Sequence, residues 1–320
     1  MRIVSLLPSS TEIVHALGLD ADLVGISHEC DFPASVTDKP VLTSSKIDIG
    51  QLSADIDRDV RRVLTDALAV YDVDAEGLER ARPDVVLTQD LCDVCAVSIR
   101  DVEVALQSIA SEGVQLVSLR PTRLDDLDGA HGVMGDIERV AEALGAAAEG
   151  KRVADGLRDR LSSLRQRAAE AVGAAGRPRV LTIEWIDPVM VGGTWMPELV
   201  EIAGGEALVT EPGQHAPTLD RDALAALDPE VVLIKPCGFD LQRTRQELGT
   251  LHELIESMPW RDSAKSRTFV ADGNAFFNRP GPRLVESAEI LAAMTHPSAF
   301  PELVERHGEH YFPLRAAPSS

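Results

Sequence analysis

One stretch of this chain occurs twice, and that duplication limits the folds open to it. Pro83-Asp84-Val85-Val86-Leu87-Thr88-Gln89-Asp90-Leu91-Cys92-Asp93-Val94-Cys95 returns in altered form as Pro229-Glu230-Val231-Val232-Leu233-Ile234-Lys235-Pro236-Cys237. In each copy an amphipathic helical pattern (75–82, then 221–227) leads into a short apolar run of strand length, and the run ends in a cysteine-bearing loop. A second echo pairs Glu12-Ile13-Val14-His15-Ala16-Leu17-Gly18 with Glu198-Leu199-Val200-Glu201-Ile202-Ala203-Gly204. The two echoes differ in offset because the first half carries about 40 extra residues before Pro83, much of it a helical pattern at 53–69.

The spacing predicts strands at 3–7, 23–27, 114–118, 179–184, 207–209 and 268–271. Helices are expected at 12–17, 53–69, 98–111, 197–203, 240–257 and 283–294. Ser9, Ser10 or Thr11 is placed to cap the first helix and Gly18 to close it. Strands alternating with helices in both halves imply α/β lobes with mainly parallel sheets, two Rossmann-like lobes in one chain. Residues 131–172 read as helical almost throughout. Gly145 and Gly150 suggest a break, leaving a rod of about 24 residues and roughly 36 Å. The expected organisation is an N-terminal lobe at 1–128, a helical spacer at 129–175, a C-terminal lobe at 176–295 and an irregular Pro-rich tail at 296–320. Ligands of such sheets bind outside the carboxyl ends of the strands. The two halves are therefore expected to share a cleft, with the cysteine loops facing each other across it.

A net charge of −21 sets most of the surface against phosphate backbones and excludes nucleic acid as a partner. No apolar run approaches the roughly 20 residues of a membrane span. The first apolar run, Ile3-Val4-Ser5-Leu6-Leu7, reads as the first strand of the fold and not as the core of a secretory leader, which places the protein in the cytoplasm. There, four cysteines in 320 residues are free thiols, metal ligands or a redox pair, not a disulfide framework.

Those four, Cys30, Cys92, Cys95 and Cys237, all fall in loops at expected strand ends. Thiolates suit zinc, an iron–sulfur cluster or a soft metal within a chelate, and Cys92/Cys95 also has the spacing of a thiol redox pair. A buried thiol is equally at home as a small apolar side chain. His28, two residues before Cys30, and His215 in the second half could donate to a metal macrocycle, or simply face solvent. Only 12 residues are aromatic. Trp185, Trp195, Phe276 and Phe277 cluster near strand ends of the second half, where they could wall a flat macrocycle or fill a core. Arg279 beside them could meet a propionate, amide or phosphate, or close a surface salt bridge. Glu184 and Asp187 lie in the same loop set. No Gly-rich phosphate loop and no spacing of carboxylates calls for catalysis.

The opening Ile3-Val4-Ser5-Leu6-Leu7-Pro8-Ser9-Ser10-Thr11-Glu12, the Pro-Asp-Val-Val-Leu unit, the single helical spacer and Asn278-Arg279-Pro280-Gly281-Pro282-Arg283-Leu284-Val285-Glu286 resemble the substrate-binding proteins for cobalamin and iron chelates, over roughly residues 1–295. The resemblance implies a class III periplasmic-binding-protein-like fold, two lobes joined by a stiff helix, and a chelate held in the cleft. Exported members of that family dock on a membrane permease through acidic residues. A chain without a leader would not dock from outside the cell, and would deliver its ligand to some other acceptor protein. Three functions follow in order: a non-catalytic binder of a corrinoid or related chelate with cysteine or histidine near the metal; a metalloprotein holding zinc or an iron–sulfur cluster through its cysteines; and a thiol redox enzyme using Cys92 and Cys95.

Overall fold

The apolar runs do become strands, and their order can be followed in a computed structural model that describes residues 1–65, 70–89, 102–105, 113–125, 132–173, 176–262 and 267–314. The chain divides into two compact units. Unit 1 comprises Met1–Gln51, Arg58–Arg158 and Pro280–Pro282; unit 2 comprises Leu52–Asp57, Asp159–Arg279 and Arg283–Ser320.

In unit 1, β1 (Ile3–Ser5), β2 (Leu23–Ile26), β3 (Thr43–Ser45), β4 (Tyr71–Val73), β5 (Val85–Gln89) and β6 (Gln115–Leu119) follow in chain order. Four of them form a parallel sheet in the order β2-β1-β5-β6, while β3 and β4 pair antiparallel apart from it. Every residue of β1 and β5 is buried, as expected of inner parallel strands covered on both faces. The first helix starts earlier than the sequence suggests. It spans Pro8–Ala16, with extended Leu7 at its N-cap and proline at its first position, where the missing N–H costs nothing. Ser9, Ser10 and Thr11 therefore lie inside the first turn and do not cap it. The hydroxyl of Ser10 donates back to the carbonyl of Leu7 at 3.0 Å. Gly18 closes the helix as expected, at φ +73° with its N–H on the carbonyl of His15.

Unit 2 repeats the plan. Its strands are β7 (Arg179–Trp185), β8 (Met190–Val191), β9 (Glu206–Ala207), β10 (Val231–Ile234), β11 (Arg267–Ala271) and β12 (Tyr311–Pro313). Parallel β9, β7, β10 and β11 neighbour one another in that order, the same sequence of neighbours as β2, β1, β5 and β6. The two copies of the repeated stretch thus supply the corresponding inner strands, β5 and β10. A core of Leu181, Ile183, Leu224, Val232, Ile234, Leu251 and Trp260 packs this sheet against its helices.

Departures from the expected elements have local causes. The long helical region is two helices, Val133–Ala143 and Ala147–Val172, separated at Gly145 with φ +70°. Gly150 does not break the second helix. A Cβ there would fall 2.2 Å from that of Ala141, so glycine lets the two helices approach. Residues up to Arg158 of the long helix count with unit 1 and those from Asp159 with unit 2. Two of its arginines form ion pairs, Arg158 with Asp125 and Glu138, and Arg160 with Glu286 and Glu289. The helix expected at 53–69 is described as Ser53–Thr65. The helical stretch at 240–257 is split into Leu241–Arg245 and Leu248–Glu256. The described part of the tail, residues 296–314, is not irregular. Pro301 begins the helix Pro301–His307, and β12 pairs antiparallel with β11, Val270 opposite Phe312. Proline stands at the first helical position there, where its missing N–H costs nothing, and so begins a helix in a stretch expected to be irregular. Among the described residues no helix is long and apolar enough to cross a membrane.

Candidate functional site

The carboxyl ends of the parallel strands are where open α/β sheets present binding groups. In unit 1, β2 ends in Ser27-His28-Glu29-Cys30. The half-buried His28 ring lies 5.4 Å from the ring of Tyr71, and its Nδ1 is 2.7 Å from the hydroxyl of Thr43. That hydroxyl has a single proton, which goes to Ser27 Oγ at 3.1 Å, while it accepts the backbone N–H of His28 at 3.0 Å. It can then only accept from Nδ1–H, which leaves the lone pair on Nε2. Nε2 has no partner among the described residues. Burial lowers the pKa of His28 and favours the neutral ring. Cys30 is buried, with Sγ 3.1 Å from Thr11 Oγ1, and Thr11 in turn donates to Ser5. This thiol packs into a hydroxyl cluster, the role of a small interior side chain. Cys92 and Cys95 lie outside the described residues.

In unit 2 the ends of β7, β10 and β11 meet at a lysine that the sequence reading passed over. Lys235 is 0% exposed. Its Nζ donates to Glu184 Oε2 at 2.8 Å and to Asn278 Oδ1 at 2.7 Å. The Asn278 amide then donates to the carbonyls of Lys235 and Gly273, at 3.1 and 2.8 Å. Asp272, after β11, accepts the N–H groups of Asn274 and Ala275. Burial raises its pKa, and those two N–H bonds only partly offset the rise. Beside this network the ring of Trp185 lies 5.3 Å from that of Phe239, over which the Arg243 guanidinium sits at 4.0 Å. The Trp185 Nε1 is buried with no acceptor among the described residues. Cys237 is a free, half-buried thiol whose N–H donates to the carbonyl of Glu184 at 2.9 Å.

The expected aromatic wall is not assembled from its four members. Only Trp185 is partly exposed at a strand end. Trp195 is buried and donates Nε1 to the carbonyl of Phe277 at 2.7 Å. Phe277 is wholly buried at φ +67°, its N–H on Ser287 Oγ. Phe276 is buried against His310, ring to ring at 4.7 Å. These three fill the interior of unit 2, where a large ring contributes most by burial. Arg279 is buried too, with one guanidinium nitrogen on Asn274 Oδ1 at 2.9 Å, so it is no surface salt bridge. His215 is exposed on its loop, and Asp187 is exposed as well. Among the described residues no group of three or more His, Cys, Asp or Glu side chains could hold a metal ion. Phe239 and Asn278 were missed along with Lys235, because their partners are 54 and 43 positions away and no local pattern announces such pairings.

Against known proteins, residues 3–259 match the family described as periplasmic binding protein. The chain is 21% identical over 293 residues to the vitamin B12-binding protein of Yersinia pestis (strain Pestoides F), covering 91% of this chain and 84% of that one. Among solved structures, a periplasmic heme binding protein from Pseudomonas aeruginosa superposes with a TM-score of 0.66 at 22% identity, covering 98% of this chain and 95% of that one. The periplasmic vitamin B12 binding protein BtuF of Vibrio cholerae does so with 0.63 at 16%, covering 94% and 97%. At these identities the structural likeness is one of fold.

Proposed function

Since this chain belongs to the periplasmic binding protein family, we propose that it is a non-catalytic binding protein whose ligand is a metal chelate of the corrinoid or haem type. The similar proteins named for vitamin B12 and for heme support that ligand class. The observation that carries the reading is the state of His28. An imidazole oriented through Nδ1 by a hydroxyl, biased to the neutral form by burial and left with a lone pair on Nε2 has the features of an axial donor to a macrocyclic metal. In unit 2 the partly exposed Trp185, beside Phe239, offers an apolar ring to a flat ligand, and Cys237 is a half-buried thiol in the loop after β10. Cys30, held in its hydroxyl cluster, has no part in this reading.

The test is a visible-absorption titration of purified full-length protein with aquocobalamin and, separately, with hemin. Saturable one-to-one binding of at least one chelate is expected, with a band shift that signals nitrogen ligation. His28→Ala should remove that shift and weaken binding by about tenfold or more, the typical cost of losing a metal-site partner. If neither chelate binds, the ligand class is wrong. If a chelate binds and His28→Ala gives an unchanged spectrum, the axial role is wrong and the class survives.

A further inference from the structure

Away from the strand ends, unit 2 has a cavity of about 150 Å³ lined by Arg165, Ala169, Val172, Arg177, Glu201 and Gly204. Arg165, Ala169 and Val172 share one face of the long helix, at spacings of four and three. Gly204 closes the far side at φ +81°, its carbonyl 3.2 Å from His296 Nε2.

The charges around this cavity are unusual for the molecule. In a chain of net charge −21, arginines find carboxylates easily. Of the arginines described in unit 2, Arg160, Arg167, Arg179, Arg221, Arg243, Arg261 and Arg306 reach acidic side chains. Others stack on rings or bond to carbonyl oxygens. Among the described arginines of unit 2, Arg165 and Arg177 alone have no such partner, and both line this one cavity. Glu201, on the same rim, lies beyond ion-pair distance of either. A cavity lined by two arginines together with Ala169, Val172 and Gly204 suits an oxyanion, because each guanidinium is a planar fork for two oxygens. At about 30 Å³ per water, the volume suits a tetrahedral oxyanion or a short carboxylate with a few waters.

We propose that this cavity binds a free small oxyanion, phosphate or a short-chain carboxylate, between Arg165 and Arg177, with Glu201 as a built-in competitor that keeps the affinity modest. The site is independent of the chelate reading.

The experiment is isothermal titration calorimetry of the full-length chain with inorganic phosphate and, separately, with acetate, at low ionic strength. One saturable site is expected for at least one probe, weakening as salt is raised. Arg165→Gln and Arg177→Gln should each reduce affinity about tenfold, the loss of a charged hydrogen-bonding partner. Glu201→Gln should raise it severalfold by removing the opposing charge. All three side chains are exposed, so folding is expected to survive, and circular dichroism checks it. Preference for one probe assigns the anion class. Absence of saturation by both probes, an unchanged affinity in the arginine variants, or weaker binding in Glu201→Gln overturns the proposal.

Discussion

Replacing Lys235 by methionine tests whether the strand ends of unit 2 are held by a buried ion pair or by apolar packing alone. Methionine keeps most of the side-chain volume, so the cavity term is small and the change is mainly electrostatic. It strands two groups: Glu184, left without its counter-ion, and Asn278 Oδ1, left without its donor. Breaking a buried pair from one side costs about 3–5 kcal/mol. The Glu184 side chain is 22% exposed, so water can reach it and the lower end applies, about 3 kcal/mol. All three tryptophans, Trp185, Trp195 and Trp260, belong to unit 2, so their fluorescence follows that unit's unfolding. With a urea slope of about 2 kcal/mol/M, the fluorescence midpoint should fall by roughly 1.5 M. Adding Glu184→Gln to Lys235→Met removes the stranded charge and should recover about 1–2 kcal/mol as a coupling energy. A Lys235→Met midpoint within about 0.2 M of the parent would refute the argument. So would a double variant with no recovery, since both results mean that water already screens the pair.

Glu289 supplies a pH-dependent counterpart. Burial alone would raise its pKa, but hydrogen bonds from His307 at 2.8 Å and Arg160 at 2.9 Å outweigh burial and hold it at about 2. A carboxylate depressed in the folded state stabilises fully above its unfolded value, 4.5, and loses that contribution as pH falls towards about 2. Glu289→Gln should therefore cost about 3 kcal/mol near neutrality, and the gap between variant and parent should close between pH 4.5 and 2 in urea titrations. A gap that stays constant across that window removes the linkage. Gly273→Ala tests a close backbone approach at the same strand ends: its Cβ would lie 2.1 Å from the carbonyl oxygen of Pro236 and 2.7 Å from the carbonyl carbon of Lys235. Backbone atoms cannot swing aside, so a loss of about 2 kcal/mol or more is expected in thermal unfolding, and a neutral result contradicts the packing described.

How much of this was legible beforehand follows the range of each interaction. Strands of wholly apolar residues, such as Val231-Val232-Leu233-Ile234, announce themselves, because burial on both faces leaves no polar position to confuse the period. The helix at Pro301 was missed for a local reason, since proline signals a break or a first helical residue and only the buried Phe300 and Leu303 decide between them. The candidate site was harder. Cysteine and tryptophan attract notice by rarity, yet Trp195 proves to be interior and Cys30 a thiol among hydroxyls. Lys235, sitting within the repeated stretch itself, was overlooked because its meaning depends on Glu184 and Asn278, which only the sheet brings to it.

The duplication explains why the strand ends, and not the strands, carry what is distinctive here. Both units keep one order of parallel neighbours, β2-β1-β5-β6 and β9-β7-β10-β11, because a buried sheet tolerates few alternatives once its inner strands are apolar on both faces. Loops beyond the carboxyl ends are under no such constraint. Unit 1 ends β2 in an imidazole steered by Thr43, whereas unit 2 ends β7 in Glu184 and Trp185 and β10 in the buried Lys235. If one ancestral unit was copied, the copies diverged in their strand-end loops while their frames stayed alike. Exchanging the strand-end residues should therefore alter binding far more than folding, except at Lys235, where the residue beyond β10 supports the frame and the surface together.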